Sequence, residues 1–128
     1  MNLLYDAGAL VAGERDDERM WARHIKALAG GITPVVPAPV IWQVWRDGAR
    51  QARLARLLRG CLVESVDQTA ARAVGELLGR SRTSDGVDAI VALSAARHGG
   101  VVYTSDPGDL QHLAGHLPNA RPFTIVKV

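Results

Sequence analysis

The sequence predicts an α/β fold: a Rossmann-like three-layer sandwich, with a mostly parallel sheet of about five strands and helices on both faces. Three observations carry that expectation. Short β-rich runs alternate with longer stretches of helical spacing, the pattern of parallel strands joined by crossover helices. Two strands run out into aspartates, Tyr5 into Asp6 and Thr104-Ser105 into Asp106. The chain has 128 residues, of which 48% are hydrophobic and 5% aromatic, enough for one domain with a core rich in Ala, Val and Leu. No linker, repeat or low-complexity segment divides it, so a single domain over 1–128 is expected. Its crossovers should be right-handed.

Residues 2–5 read as a buried strand and Ala7 to Ala12 as a short helix or turn. Gly13 to Asp17 is polar and reads as a loop. Asp16 or Asp17 then caps a helix from about Glu18 to Ala29, because a carboxylate accepts the free N–H groups of a first turn. Met20, Trp21, His24, Ile25 and Leu28 form its core-facing stripe, and Gly30-Gly31 stops it. Ile32 to Val36 is a second strand, shortened by Pro34. Pro37-Ala38-Pro39 opens the next helix, since proline fits a first turn. Val40, Ile41, Val44 and Trp45 are its apolar side, and Gly48 ends or bends it. A helix over Arg50 to Leu58, closed by Gly60, leads to a strand at Cys61 to Val63. Ser65 or Asp67 caps a helix over about Gln68 to Leu78, followed by a basic loop from Gly79 to Thr83. Ser84 or Asp85 caps the helix 86–98. Gly99-Gly100 turns into the strand Val101 to Thr104. Asp106 or Pro107 starts a helix through about Ala114, and Pro122 to Val126 is the last strand.

Composition narrows the class. No apolar run approaches a membrane span, and no basic region precedes an apolar stretch at the N-terminus, so a cytoplasmic protein without membrane contact is expected. The single Cys61 cannot form an internal disulfide and is expected in the core rather than as a catalytic thiol. Net charge is +2, with thirteen Arg against two Lys. So small an excess says little about nucleic acid until its distribution is considered.

The chemistry concentrates in acids at element boundaries. Asp85 and Asp88 precede the apolar helical run Ala89 to Ala96, and Asp106 and Asp109 follow the strand ending at Thr104. If the strands ending at Tyr5 and Thr104 are parallel neighbours, Asp6, Asp88 and Asp106 converge beyond their carboxyl ends, where α/β folds collect ligands. Each aspartate alone reads as a helix cap. Together they repel one another unless a cation sits among them. Oxygen donors suit Mg²⁺ or Mn²⁺ rather than zinc. Asp109 completes the cluster or holds a metal-bound water, and Asp85 supports it as a cap. Thr104 and Ser105 can hydrogen-bond the acids and orient them.

With these residues in view, the chain resembles the PIN-domain ribonucleases, of the small kind found as VapC toxins of bacterial toxin–antitoxin pairs. The resemblance rests on Tyr5-Asp6-Ala7-Gly8-Ala9-Leu10, Asp88-Ala89-Ile90-Val91-Ala92 and Thr104-Ser105-Asp106-Pro107-Gly108-Asp109-Leu110, in order and at element boundaries. It implies the PIN fold and metal-dependent endonucleolytic cleavage of RNA, with an activated water attacking in line and leaving a 5′-phosphate. It also implies a homodimer and a small antitoxin whose tail enters the acidic cleft. The family carries a glutamate in a run like P-A-P-V-x-x-E-V. Here Pro37 to Val44 matches that run, but Gln43 holds the acid position. Its amide offers an oxygen without charge, so weaker metal binding is expected.

Other residues weigh less. Arg46, Arg50, Arg53, Arg56 and Arg59 recur every three or four residues and would form a basic stripe on a continuous helix, either an ordinary solvated face or an RNA phosphate contact. Arg80 and Arg82 could join it. His112 and His116 have metal-ligand spacing, with Asp109 three residues earlier, but a solvated helix face is the simpler reading. Of Trp42 and Trp45, one is expected inside and the other at a partner surface. A phosphoaspartate site of the haloacid-dehalogenase type would need an acid at position 8, which is glycine, and the acid pair and late lysine of a receiver domain are not evident. Two rivals to the ribonuclease stay open: a PIN scaffold that binds RNA or protein but barely cuts, and a nuclease acting on DNA.

Overall fold

The computed structural model describes every residue except Asn119. Five strands, β1 (Leu3–Tyr5), β2 (Val35–Pro37), β3 (Leu62–Glu64), β4 (Gly100–Thr104) and β5 (Phe123–Lys127), form one sheet in the order β3-β2-β1-β4-β5. Every neighbouring pair is parallel, so the mostly parallel expectation becomes fully parallel. The helices are α1 (Ala7–Glu14), α2 (Glu18–Ala29), α3 (Ala38–Val44), α4 (Ala52–Arg59), α5 (Gln68–Ser81), α6 (Gly86–His98) and α7 (Pro107–Ala114), with a 3-10 turn at Gly48–Arg50.

Topology assigns the layers. The chain steps outward from β1 to β2 to β3, crosses back to β4 beside β1, and continues to β5. Right-handed crossovers then put α1 to α4 on one face and α5 to α7 on the other. Packing agrees: α1 lies against α2, α3 and α4, and α6 lies against α5 and α7. The buried core unites Leu4, Val36 and Val102 of the central strands with Leu10 and Leu57 from one layer and Val91 from the other. Burying a side chain of that size contributes about 1.5–3 kcal/mol.

Local chemistry sets the boundaries. Asp17 caps α2 by accepting the Met20 N–H at 2.8 Å, and Asp67 caps α5 by accepting that of Ala70 at 2.8 Å. Gly99-Gly100 turns α6 into β4 as expected. At Gly100, φ is +89° and an added Cβ would lie 2.1 Å from the Asn2 carbonyl oxygen, so only glycine lets β4 begin this close to β1. The helix expected from Pro37 stops at Val44, and Arg46 lies outside both α3 and α4. The buried Gln51 explains the break. Its side-chain oxygen accepts the Arg46 and Asp47 N–H groups, and its amide donates to the Val44 carbonyl. The five arginines therefore do not share one helix. Among the described residues, no helix is long and apolar enough to cross a membrane.

Candidate functional site

β1 and β4 lie side by side, but their connections leave in opposite directions, toward β2 and toward β5. A crevice opens at the carboxyl ends of strands at such a switch point. Asp6 stands on one side of it and Asp106 on the other. The register pairs Tyr5 with Tyr103, and the Asp6 N–H donates to the Tyr103 carbonyl at 3.0 Å.

Asp6 is buried, and both its oxygens are held. One accepts the Ala7 N–H at 2.7 Å and the other accepts the Thr104 hydroxyl at 2.7 Å. The same buried hydroxyl accepts the Asp106 N–H at 3.1 Å, so Thr104 ties the two strand ends together. Gly8 completes the join: an added Cβ there would lie 2.6 Å from the Ser105 backbone nitrogen, and any side chain would push the α7 entrance away from α1.

The opposite layer supplies the remaining acids. Asp85 caps α6, accepting the N–H groups of Val87 and Asp88 at 3.0 Å each. Asp88 sits in the first turn of α6 and Asp109 in that of α7. They line a pocket of about 380 Å³ with Thr83, Ser84, Asp85 and His112. Burial raises the Asp88 carboxyl to about 6, aided by the charges of Asp85, Asp6, Asp109 and Asp106. Burial also raises Asp6; the bonds from Thr104 and Ala7 oppose it, and the Asp106 and Asp85 charges add to it. The expected acids thus share one electrostatic environment. Yet among the described residues, no group of three His, Cys, Asp or Glu side chains is placed to hold a metal ion. The donor set is all oxygen, and each held oxygen of Asp6 keeps lone-pair capacity, so the acids suit Mg²⁺ or Mn²⁺ in chemistry without forming a closed set of ligands.

The other residues singled out in the sequence disperse. Gln43 is exposed on α3, and no hydrogen bond joins it to the acids among the described residues. Arg46 donates to the carbonyls of Trp42, Gln43 and Trp45. Arg50 pairs with Asp47 and Arg53 with Asp16. Arg80 donates to the His116 carbonyl, and the exposed Arg82 ends α5 in a left-handed conformation. Trp42 and Trp45 are both exposed, Trp42 the more so, and neither is the expected inward residue. Burial pushes the Cys61 thiol up to about 12, which leaves it unreactive. His112 lines the acid pocket, and its Nε2–H must be the donor to the Ser81 carbonyl at 3.0 Å, since a carbonyl only accepts. Its spacing from Asp109 was the signal for that placement. Glu64, bound by Ser94, Arg97 and His98, carried no signal at all.

The family model described as PIN domain matches residues 3–115. This chain belongs to the PIN-domain family. Solved structures agree in fold. VapBC2 from Rickettsia felis, a structure bound to a DNA fragment from its promoter, aligns with a TM-score of 0.69 at 15% identity, covering 100% of this chain and 99% of that one. PAE2754 from Pyrobaculum aerophilum aligns with a TM-score of 0.62 at 19% identity, covering 98% and 84%. No curated protein matches the PIN chain in sequence.

Proposed function

We propose that this chain is a single PIN domain acting as a Mg²⁺- or Mn²⁺-dependent endoribonuclease, the cytoplasmic toxin of a VapBC-type toxin–antitoxin pair. One observation supports the reading: at the switch point of a PIN fold, Asp85, Asp88 and Asp109 line one pocket, and the charges of Asp6 and Asp106 at the ends of β1 and β4 reach Asp88. Asp6, Asp88 and Asp106 would hold the metal, with Asp109 beside them. Bound there, the metal would make a water acidic enough to attack a phosphodiester and would offset the charge growing on the phosphate.

The chain's own residues prepare that chemistry. Thr104 and the Ala7 N–H fix the Asp6 carboxylate in one orientation, and Thr104 also fixes the backbone of Asp106. Asp85, as the cap of α6, sets the first turn that carries Asp88. Ser105 borders the cleft at the close approach to Gly8. A protein partner is supported by an apolar groove of about 590 Å³ beside Asp85, walled by Pro39, Trp42, Val66, Val74 and Ile90. A small antitoxin, as in the VapBC2 complex, or a second copy of the chain would cover it.

Gln43 favours a second reading. Its exposed, uncharged amide, with no hydrogen bond to the acids among the described residues, fits a PIN scaffold that binds RNA or a protein but barely cuts. Cleavage of a structured RNA by the pure protein, with Mg²⁺ or Mn²⁺ and with chelator, decides between the two. The nuclease predicts metal-dependent cutting that falls at least about a hundredfold in Asp88→Asn, several kcal/mol of lost transition-state stabilisation. No cutting with either metal at high protein concentration selects the binding scaffold. A matched DNA strand in the same assay tests the choice of nucleic acid.

A further inference from the structure

Two hollows lie along α1 and α2, and they share Ala12, Asp17 and Val128. The first, about 490 Å³, is lined by Ala7 and Ser105, the chain neighbours of Asp6 and Asp106, and carries Arg15. The second, about 660 Å³, carries Arg19, Arg23 and Lys127. Arg15, Arg19 and Lys127 are exposed, and Arg23 rests its guanidinium 5.0 Å from the centre of the Tyr103 ring. Among the described residues, none of the four forms an ion pair. Two acids share the lining. Asp17 is occupied by capping α2, which leaves Glu18 the freer of the two.

The contrast with the arginines of residues 46–53 is chemical. Arg50 and Arg53 are paired with carboxylates, Arg46 is spent on carbonyls, and none of them lines either hollow. We propose that Arg15, Arg19, Arg23 and Lys127 form the track along which the phosphodiester backbone of a single-stranded RNA leaves the acidic cleft. The proposal deepens the nuclease reading and rests on it for the position of the scissile phosphate. Arg19 and Arg23 are one helical turn apart, so their side chains emerge on the same face of α2 about 5–6 Å apart at Cβ. Arg23 covers one face of the Tyr103 ring, taking it from a base. The track therefore reads charge rather than sequence.

The test is fluorescence anisotropy of a labelled single-stranded RNA in chelator, so that nothing is cut, over a salt series. Wild type is compared with Arg19→Ala/Lys127→Ala and with the charge-matched Arg72→Ala/Arg121→Ala. Removing two phosphate contacts should weaken binding about tenfold or more at low salt and flatten the slope of log affinity against log salt by about 1.4. The matched double variant should change neither. Should the first double variant fail to fold, Arg15→Ala gives the one-contact version, a slope change of about 0.7. An unchanged slope, equal losses in both double variants, or no RNA binding by wild type overturns the track. So does RNA binding that stays put while affinity for a polyglutamate peptide falls, which would give the surface to an acidic protein. Repeating the series with Mn²⁺ separates the two readings. Wild type that shows the mapped slope but never cuts overturns the nuclease and keeps the track. Wild type that cuts, with a variant whose slope is unchanged, does the reverse.

Discussion

Two carboxylates end parallel strands of the same sheet, and their surroundings drive them in opposite directions. Burial alone would raise both. At the end of β3, hydrogen bonds from His98 and Ser94 and the charges of Arg97 and His98 overcome burial and hold Glu64 below the usual carboxylate range. The His98 Nε2 and Ser94 Oγ contacts measure 2.6 and 2.7 Å. At the end of β1, Asp6 receives hydrogen bonds but faces further acids, and it stays raised. Among the described residues, no Lys or Arg lines the acid pocket around Asp88. Where a carboxylate is structural, α6 brings its own counter-charge. At the switch point Asp6 has hydrogen-bond donors but faces the charges of Asp106 and Asp85, which add to burial.

The largest expected effect exploits that difference. Mg²⁺ at about a hundred times its dissociation constant should stabilise the chain by about 2.7 kcal/mol, seen as a rise of several degrees in thermal midpoint. Asp88→Asn should lose most of that rise and Glu64→Gln none of it; equal behaviour of the two would erase the contrast. Thr104→Val comes next. It strips a donor from the buried Asp6 and an acceptor from the Asp106 N–H, and should lower stability by about 1–2 kcal/mol and cleavage about 10–100-fold. Chemical denaturation and initial cleavage rates read the two effects separately.

Glu64→Gln should cost about 1 kcal/mol at pH 7. Because the folded state holds Glu64 below its ordinary value, that stability is present above the unfolded pKa and is lost as pH falls through the folded one. Urea titrations at pH 7 and pH 3 should show the gap closing. The smallest effect has the opposite sign. Asp88 is raised from 3.8 to about 6, so its contribution is complete below the unfolded value and is lost as pH rises through the folded one. In chelator, Asp88→Asn should therefore raise the thermal midpoint slightly at pH 7.5 and leave it unchanged near pH 3.5. A fall at pH 7.5 would mean that the acids do not burden one another.

Features written in local sequence were legible. The caps Asp17, Asp67 and Asp85, the α6 helix, the glycine turn into β4 and the aspartates after β1 and β4 all follow from short-range rules. What tertiary contact decides was not. Gly13 looks like a loop residue, yet α1 runs through it because it packs against Leu57. Ile25 sits on the apolar stripe of α2 but is exposed, while Ala27 is buried in its stead. The sequence placed a break between the arginines at Gly48, but not the buried amide of Gln51 that holds the break by bonding Val44 and Arg46. Glu64 passed unremarked because its partners Ser94 and His98 lie 30 and 34 residues further on. For the candidate site, spacing named the acids, and the sheet order sets Asp6 and Asp106 at the ends of neighbouring strands. Spacing could not show that Gln43 would be exposed with no hydrogen bond to them among the described residues.

The bond between Thr104 and Asp6 spans 98 residues. During synthesis, β1, β2 and β3 can pair as soon as they emerge, but the edge of β1 that bears the site stays open until β4 is made. Contacts so distant along the chain form late, after the local ones. A ribosome partway through this message therefore carries an Asp6 with no Thr104 to orient it and no Asp106 opposite. The hydroxyl that both aspartates share is therefore added only once β4 is complete.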